Sequence, residues 1–402
     1  MKKLILVFLV GMIGIDGFAD SWTQKSNFGG VARRNAIGFS IGTKGYIGLG
    51  ANVNDLNDFW EWDQITNTWT QKANFIGPST SYAVGFSIGN KGYIGTGDNM
   101  GKTFWEWDQN TNLWIRKADF GGEARTGAIG FSIGTKGYIG FGYDGQTVYF
   151  NDFWEWDQNT NMWTEKASLG GSGRMFAVGF AIGTKGYLGT GHVNFSDFWE
   201  WDQSTNVWIQ RANFNGGGRS EAIGFSIGNY GYIGTGTFYP GVGAVSDFWR
   251  YNQNNNTWTQ MTNYGGGPRE MSIGFSIGCN GYVGTGWVND SINTISNDFW
   301  EYTDSSNNCR VGIKEIISPQ PTISLLPNPF STSTTLLING EIKENSHLYI
   351  YNLLGQEVKT IPINNQKEII INRDNLPDGM YFYKIISNNN ETVATGKMII
   401  AG

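Results

Sequence analysis

"GFSIGTKGYIG" occupies residues 38–48 and recurs letter for letter at 130–140. A folded core offers a different environment at almost every position, so verbatim repetition implies an architecture that repeats its environments. Altered copies start at Gly85 (GFSIGNKGYIG), Gly179 (GFAIGTKGYLG), Gly224 (GFSIGNYGYIG) and Gly274 (GFSIGCNGYVG), making six. In the first, Ala36, Gly38 and Ser40 alternate with Ile37, Phe39 and Ile41. Period two, with one small face and one large face, predicts a strand packed on both sides.

Each copy continues through a loop into DFWEWDQITNTW and TQKANF, which predicts four short strands: a (36–42), b (46–50), c (58–63) and d from Trp69, joined by tight turns at 43–45 and 64–67. Four antiparallel strands per unit describe a propeller blade, and the expected fold is all-β, a six-bladed propeller followed by a small immunoglobulin-like sandwich. Glycines crowd strands a and b because these lie nearest the axis. Successive units are 47, 45, 49, 45 and 50 residues apart; subtracting b-to-c loops of 7, 5, 9, 5 and 10 leaves 40 each time, and the sixth loop, 287–297, is the longest at 11. All length variation therefore falls on the face shared by b-to-c and d-to-a loops. Ser21–Lys25 copies the strand-d text of residues 68–72 ahead of the first full unit, so the N-terminal strand is expected to complete the sixth blade and close the ring. In that unit Cys309 stands where the strand-d Trp belongs, and Cys279, the only other cysteine, lies in the a-to-b turn. In an exported chain the pair predicts a disulfide, with two free thiols as the alternative.

The chain of 402 residues carries 58 Gly and 17 Trp, 15% aromatic and 15% charged residues, and a net charge of -6. No basic stripe is present for phosphates, which argues against nucleic acid as a partner. Lys2 and Lys3, the apolar run 4–15 and Gly17-Phe18-Ala19 predict a signal peptide over 1–19, too short to span a bilayer and leaving no transmembrane segment once cleaved. The propeller is expected over 20–312, a linker containing Ser318-Pro319-Gln320-Pro321 over 313–321, and the sandwich over 322–402, with strands at 322–326, 334–339, 347–352, 367–372, 379–386 and 392–400.

The units resemble kelch repeats: an Arg in the d-to-a loop (Arg33, Arg125, Arg174, Arg219, Arg269), glycines ending strand b (Gly48, Gly50), Asp58-Phe59-Trp60, and Trp69 after Asn67. Blade 2 departs at both polar positions, with Thr80 for the Arg and Thr103 for the Asp. The tail resembles the type A C-terminal sorting domain of proteins exported by the type IX secretion system of Bacteroidetes, through Pro327-Asn328-Pro329-Phe330, LYIYNLLGQEVKT (348–360), NLPDGMYFYKI (375–385) and TGKMII (395–400). That resemblance implies the type IX machinery as a partner and a secreted or outer-surface destination.

No catalytic residue, metal site or cofactor is assigned. Copper-radical oxidases share the kelch propeller but need several His and Tyr ligands, and the only histidines are His192 and His347. The carboxylates of strand c (Glu61, Glu106, Glu155, Glu200, Glu301, with Arg250 in blade 5) recur too regularly for acid–base work and are expected to be structural, and Asp55, Asp58, Asp290 and Asp298 sit in solvated turns without an EF-hand pattern. The variable face is more informative. Its loops bring Tyr143, Tyr149, Phe195, Tyr239 and Trp287, and the positions just after each repeated Arg or its counterpart bring Arg34, Tyr82, Phe176, Glu221 and Glu270, as candidate contacts for a glycan or protein. The expected function is a non-catalytic binding or adhesion module; a carbohydrate-active enzyme similar to the sialic-acid mutarotases of the kelch class is the alternative.

Overall fold

The computed structural model describes residues 20–238, 243–288, 294–306, 322–339, 346–353, 355–363, 366–387 and 392–402. The expected signal peptide (1–19), the linker, Tyr239, Asp290 and Cys309 lie outside them. The chain divides into two compact units, Met1–Cys309 and Arg310–Gly402.

Strand a of blade 1 runs Ile37–Ile41, b Lys44–Gly48, c Phe59–Asp63 and d Thr68–Gln71, and their order in the sheet is the order of the chain. Six such four-stranded antiparallel sheets make up the first unit, and their a strands contact one another in a closed ring. The two faces of strand a explain the ring. Ile37, Phe39 and Ile41 of blade 1 are buried against blade 2, where a Cβ on Gly85 would come within 2.9 Å of Ile37 and one on Gly92 within 2.3 Å of Phe39. Large residues of one blade fill the space that glycines of the next leave open, and each blade in turn repeats the fit.

Blade 6 consists of Ile273–Ile277, Asn280–Gly284, Phe299–Thr303 and the N-terminal strand Ser21–Gln24, with Ser21 opposite Thr303 and Trp22 opposite Tyr302. The Trp that the sixth unit lacks is thus Trp22. Its indole donates to the Thr262 carbonyl at 3.0 Å, as Trp69 does to Ser26 and Trp114 to Ala73 in the blades before them. Asparagines of the c-to-d turns weld the same seams: Asn67 Oδ1 accepts from Ser26 N and Asn112 Oδ1 from Ala73 N, both at 3.0 Å. These bonds tie each c-to-d turn to the segment that follows strand d of the blade before it. Cys279 is half-buried and has no disulfide partner among the described residues, which do not include its expected partner Cys309.

The second unit is a sandwich of a three-stranded sheet (Thr322–Leu326, Ser333–Asn339, Glu368–Asn372) and a four-stranded one (Glu357–Ile363, Ser346–Tyr351, Gly379–Ile386, Thr392–Ile400). Leu336, Leu348, Ile350, Ile371 and Ile385 are buried between the sheets. Glu357–Ile363 was not expected as a strand. It holds Pro362 and two charges, Glu357 and Lys359, a composition tolerated because it forms the edge of its sheet. Among the described residues no helix is long and apolar enough to cross a membrane.

Candidate functional site

The repeated polar residues are structural. Arg33 is fully buried, forks onto Asp58 through two bonds of 2.7 Å, and donates to the Leu49 carbonyl at 2.9 Å. Arg125, Arg174, Arg219 and Arg269 clasp Asp152, Asp197, Asp247 and Asp298 in the same way. The aspartate's second oxygen also accepts the indole N–H two residues on, as in Trp60 to Asp58 at 2.7 Å. Burial pushes the Asp58 carboxyl up, but the hydrogen bonds and charge of Arg33 outweigh it and hold the group below the usual range. Asp58 and Asp298 are therefore clasp partners and not solvated turn residues, as their loop sequences had implied. Phe195 belongs here too: it lies 4.0 Å from the Arg174 guanidinium, stacked on the clasp.

The strand-c carboxylates serve the strand-b tyrosines. Tyr46 donates to Glu61 at 2.6 Å and accepts from Gln109 of the next blade at 2.7 Å; Tyr138 does the same with Glu155 and Gln203. Burial, then the adjacent carboxylate, drive the Tyr46 phenol well above its ordinary value. In blade 5 Arg250 replaces the Glu, and Asp304 replaces the Gln of the following unit. Tyr232 then donates to Asp304 at 2.7 Å, and Arg250 pairs with the same carboxylate at 2.8 Å.

Two residues beyond each clasp position the chain turns in toward the axis. Asn35, Tyr82, Gly127, Phe176, Glu221 and Met271, one per blade, all hold φ between 52° and 61°. Their backbones form a closed collar, each N–H donating to the carbonyl of the preceding blade's member, from Tyr82 to Asn35 (3.2 Å) round to Asn35 to Met271 (3.0 Å). Left-handed backbone suits Gly, and blade 3 has it; a bulky residue held there is strained. Tyr, Phe, Glu and Met at such positions keep side chains that the backbone does not need.

The collar rings a cavity of ≈ 120 Å³, floored by Ala36, Ala83, Ala128 and Ala177. Tyr82 and Phe176 meet across Gly127 with ring centroids 4.9 Å apart, and a Cβ on Gly127 would lie 2.8 Å from the Phe176 ring. Glu221 lines the opposite side. Burial first, then the charge of Glu270, raise its carboxyl to about 8, against the pull of Arg34. Burial and Glu221 push the Tyr82 phenol to about 12. Arg34 lies 4.4 Å over the Trp287 ring, and Trp287 is paired in register with Glu270. Six of the sequence candidates thus converge: Arg34, Tyr82, Phe176, Glu221, Glu270 and Trp287. They come from two offsets. Arg34 and Glu270 directly follow the clasp position, whereas Tyr82, Phe176 and Glu221 follow it by two and belong to the collar. Asn35, Gly127 and Met271 complete the collar and were missed, although counting two from each repeated Arg finds them. Tyr143 and Tyr149 form a separate platform in the blade 3 loop, 4.7 Å apart, with Tyr149 39% exposed and 6.2 Å from His192 of the blade 4 loop.

Residues 324–401 match the family described as the secretion system C-terminal sorting domain. The tail is a type IX sorting domain. A chain that ends in this sorting domain is secreted or held at the outer cell surface. The propeller fold is shared with the solved structure titled "Structure of YjhT", which matches with a TM-score of 0.59 and 14% identity, over 68% of this chain and 95% of that one. No curated protein sequence matches the chain.

Proposed function

We propose that the propeller ahead of the sorting domain is a recognition module displayed outside the cell, binding a glycan or a protein through its b-to-c loop face. The observation that carries this reading is the contrast within a single loop. The clasp position is repeated in five blades, while the collar position two residues on differs in all six and points Tyr82, Phe176 and Glu221 into one cavity. A surface that must discriminate needs asymmetry, and loops are where sequence changes disturb the blade hydrogen bonds least. Probing a glycan and protein array with the mature chain tests it. Ligands are expected whose binding is lost in Tyr82→Ala/Phe176→Ala and kept in Lys44→Ala/Lys136→Ala on the opposite face; the reverse pattern refutes the assignment.

One observation favours the enzyme alternative: a carboxyl raised to about 8 beside a second carboxylate is suited to general acid–base chemistry. Turnover of a sugar substrate abolished by Glu221→Gln with binding retained would establish it. Export rests on the two ends of the chain: a signal peptide over 1–19 and the tail from 322 as the part addressed to the type IX machinery, joined to the propeller by 313–321. Deleting the tail is expected to strand a folded propeller in the periplasm, and normal surface display of the truncated chain would overturn that. The Cys279–Cys309 bridge belongs to the same proposal, and resistance of both thiols to alkylation before reduction is its test.

A further inference from the structure

Glu221 stands out among the residues of the mouth because no side chain among the described residues donates a hydrogen bond to its carboxyl. The Arg34 guanidinium lies over the Trp287 ring, and its buried Nε has no hydrogen-bond partner among the described residues. The charged groups acting on Glu221 are Glu270 and Arg34, with Asp98 further out acting on Tyr82. Two carboxyls thus face a single guanidinium, and the mouth is one positive charge short of neutrality when both are ionised.

The walls indicate the shape of what would supply that charge. A cavity of ≈ 120 Å³ is well below the roughly 300–1,000 Å³ typical of sites for drug-sized ligands, so it suits a slender chain end better than a pyranose ring. The Tyr82 and Phe176 rings and Met271 line it with apolar surface against which methylenes can lie, and aromatic faces attract an ammonium. We propose that the mouth is a socket for the end of a lysine side chain presented by a protein partner, its methylenes against Tyr82 and Phe176 and its ammonium bonded to Glu221. The inference rests on the reading of the loop face as a recognition surface. Binding converts the neutral Glu221 carboxyl into a carboxylate: the ammonium keeps its three protons, and the carboxyl proton leaves to solvent. With Glu221 titrating at about 8, most of it is protonated at pH 7, and the release approaches one proton per site.

Calorimetric titration of the mature full chain at pH 7, in two buffers of different ionisation enthalpy, measures both affinity and proton release. The probes are Nα-acetyl-lysine methylamide, its norleucine counterpart with the same stem but no ammonium, and glucosamine. The lysine probe is expected to bind at least tenfold more tightly than either of the others and to release close to one proton. Glu221→Gln is expected to weaken it at least tenfold and abolish the release, while thermal unfolding shows the variant folded. Glu270→Gln, which lets Glu221 ionise earlier, should keep binding and reduce the release. Equal binding of the norleucine probe, tighter binding of glucosamine, or lysine binding without proton release overturns the socket. A protein found on the array that needs Tyr82 and Phe176 but ignores Glu221→Gln and excess lysine probe also overturns it, and leaves the recognition face standing. An array ligand that depends on the opposite face, with the lysine titration positive, overturns the face reading instead.

Discussion

Blades 1 and 2 are built from nearly the same text, yet one is held by a buried ion pair and the other is not. Where blade 1 has Arg33 forked onto Asp58, blade 2 has Thr80, fully buried, and Thr103, each bonding a nearby carbonyl. Phe75, the counterpart of the ring under Arg33, shares its apolar cluster with Met100, which is 2% exposed. Both partners changed together, and what remains of the lost pair is the Trp105 indole N–H, buried and unpartnered where Trp60 has Asp58. A buried pair replaced as a pair by uncharged residues costs little, whereas removal of one partner strands a charge. Blade 5 follows the same rule with opposite chemistry, since Arg250 and Asp304 replace a Glu and a Gln that also met over one tyrosine.

The comparison breaks most sharply at the clasp. Arg33→Ala leaves Asp58 half-buried and unpaired and should cost about 3–5 kcal/mol in chemical denaturation, while Thr80→Ala, the same position in blade 2, should cost about 1 kcal/mol or less. Equal losses would mean that the clasp is not what holds blade 1. Rebuilding sharpens it: Thr80→Arg alone should be strongly destabilising, and Thr80→Arg/Thr103→Asp should recover part of the loss, with a coupling of about 1–3 kcal/mol read from the double-mutant cycle. Additive effects would show that blade 2 has lost the geometry as well as the residues.

The mouth supplies a third test, at a site that the clasps do not touch. Glu221 binds its proton more tightly folded (about 8) than unfolded, so the native state holds the extra proton between about pH 4.5 and 8 and stability falls as pH rises through that window. The contribution to the slope is about 1.4 kcal/mol per pH unit at most, and Glu221→Gln should remove it. An unchanged pH profile would place Glu221 in water. The smallest effect expected is at the orphan indole. Trp60→Phe should cost about 1 kcal/mol through the bond lost to Asp58, and Trp105→Phe less than about 0.5 kcal/mol, because it removes a donor that has no acceptor.

The blade count, the closing N-terminal strand and the face carrying all length variation were legible because each is a matter of period, and period survives in text. The clasp was half legible. Arg33 and Asp58 are visible as repeated residues, and Thr80 and Thr103 depart together in the sequence, but the strand-c Glu is the more conspicuous carboxylate, and only geometry shows that it serves Tyr46. The collar is blurred by one residue in the sequence, because Arg34 and Glu270 stand one position before the residues that match Tyr82, Phe176 and Glu221, and neighbouring residues of a turn face different ways. Glu357–Ile363 was missed because edge position excuses a proline, and edge position is a property of the sheet and not of the segment.

The pairing of Ser21–Gln24 with Phe299–Thr303 joins residues as much as 282 positions apart, and it governs how the chain folds and how it fails. Closing so long a loop adds little to the equilibrium cost, which grows only with the logarithm of length, but a pairing so distant in sequence is slow to form. Until then Phe299–Thr303 is an open strand edge, ready to pair with the first strand of another copy. A protease that trims past Asp20 would recreate that edge in the finished protein. Four residues at one end of the chain therefore cover the strand edge through which two copies would otherwise exchange.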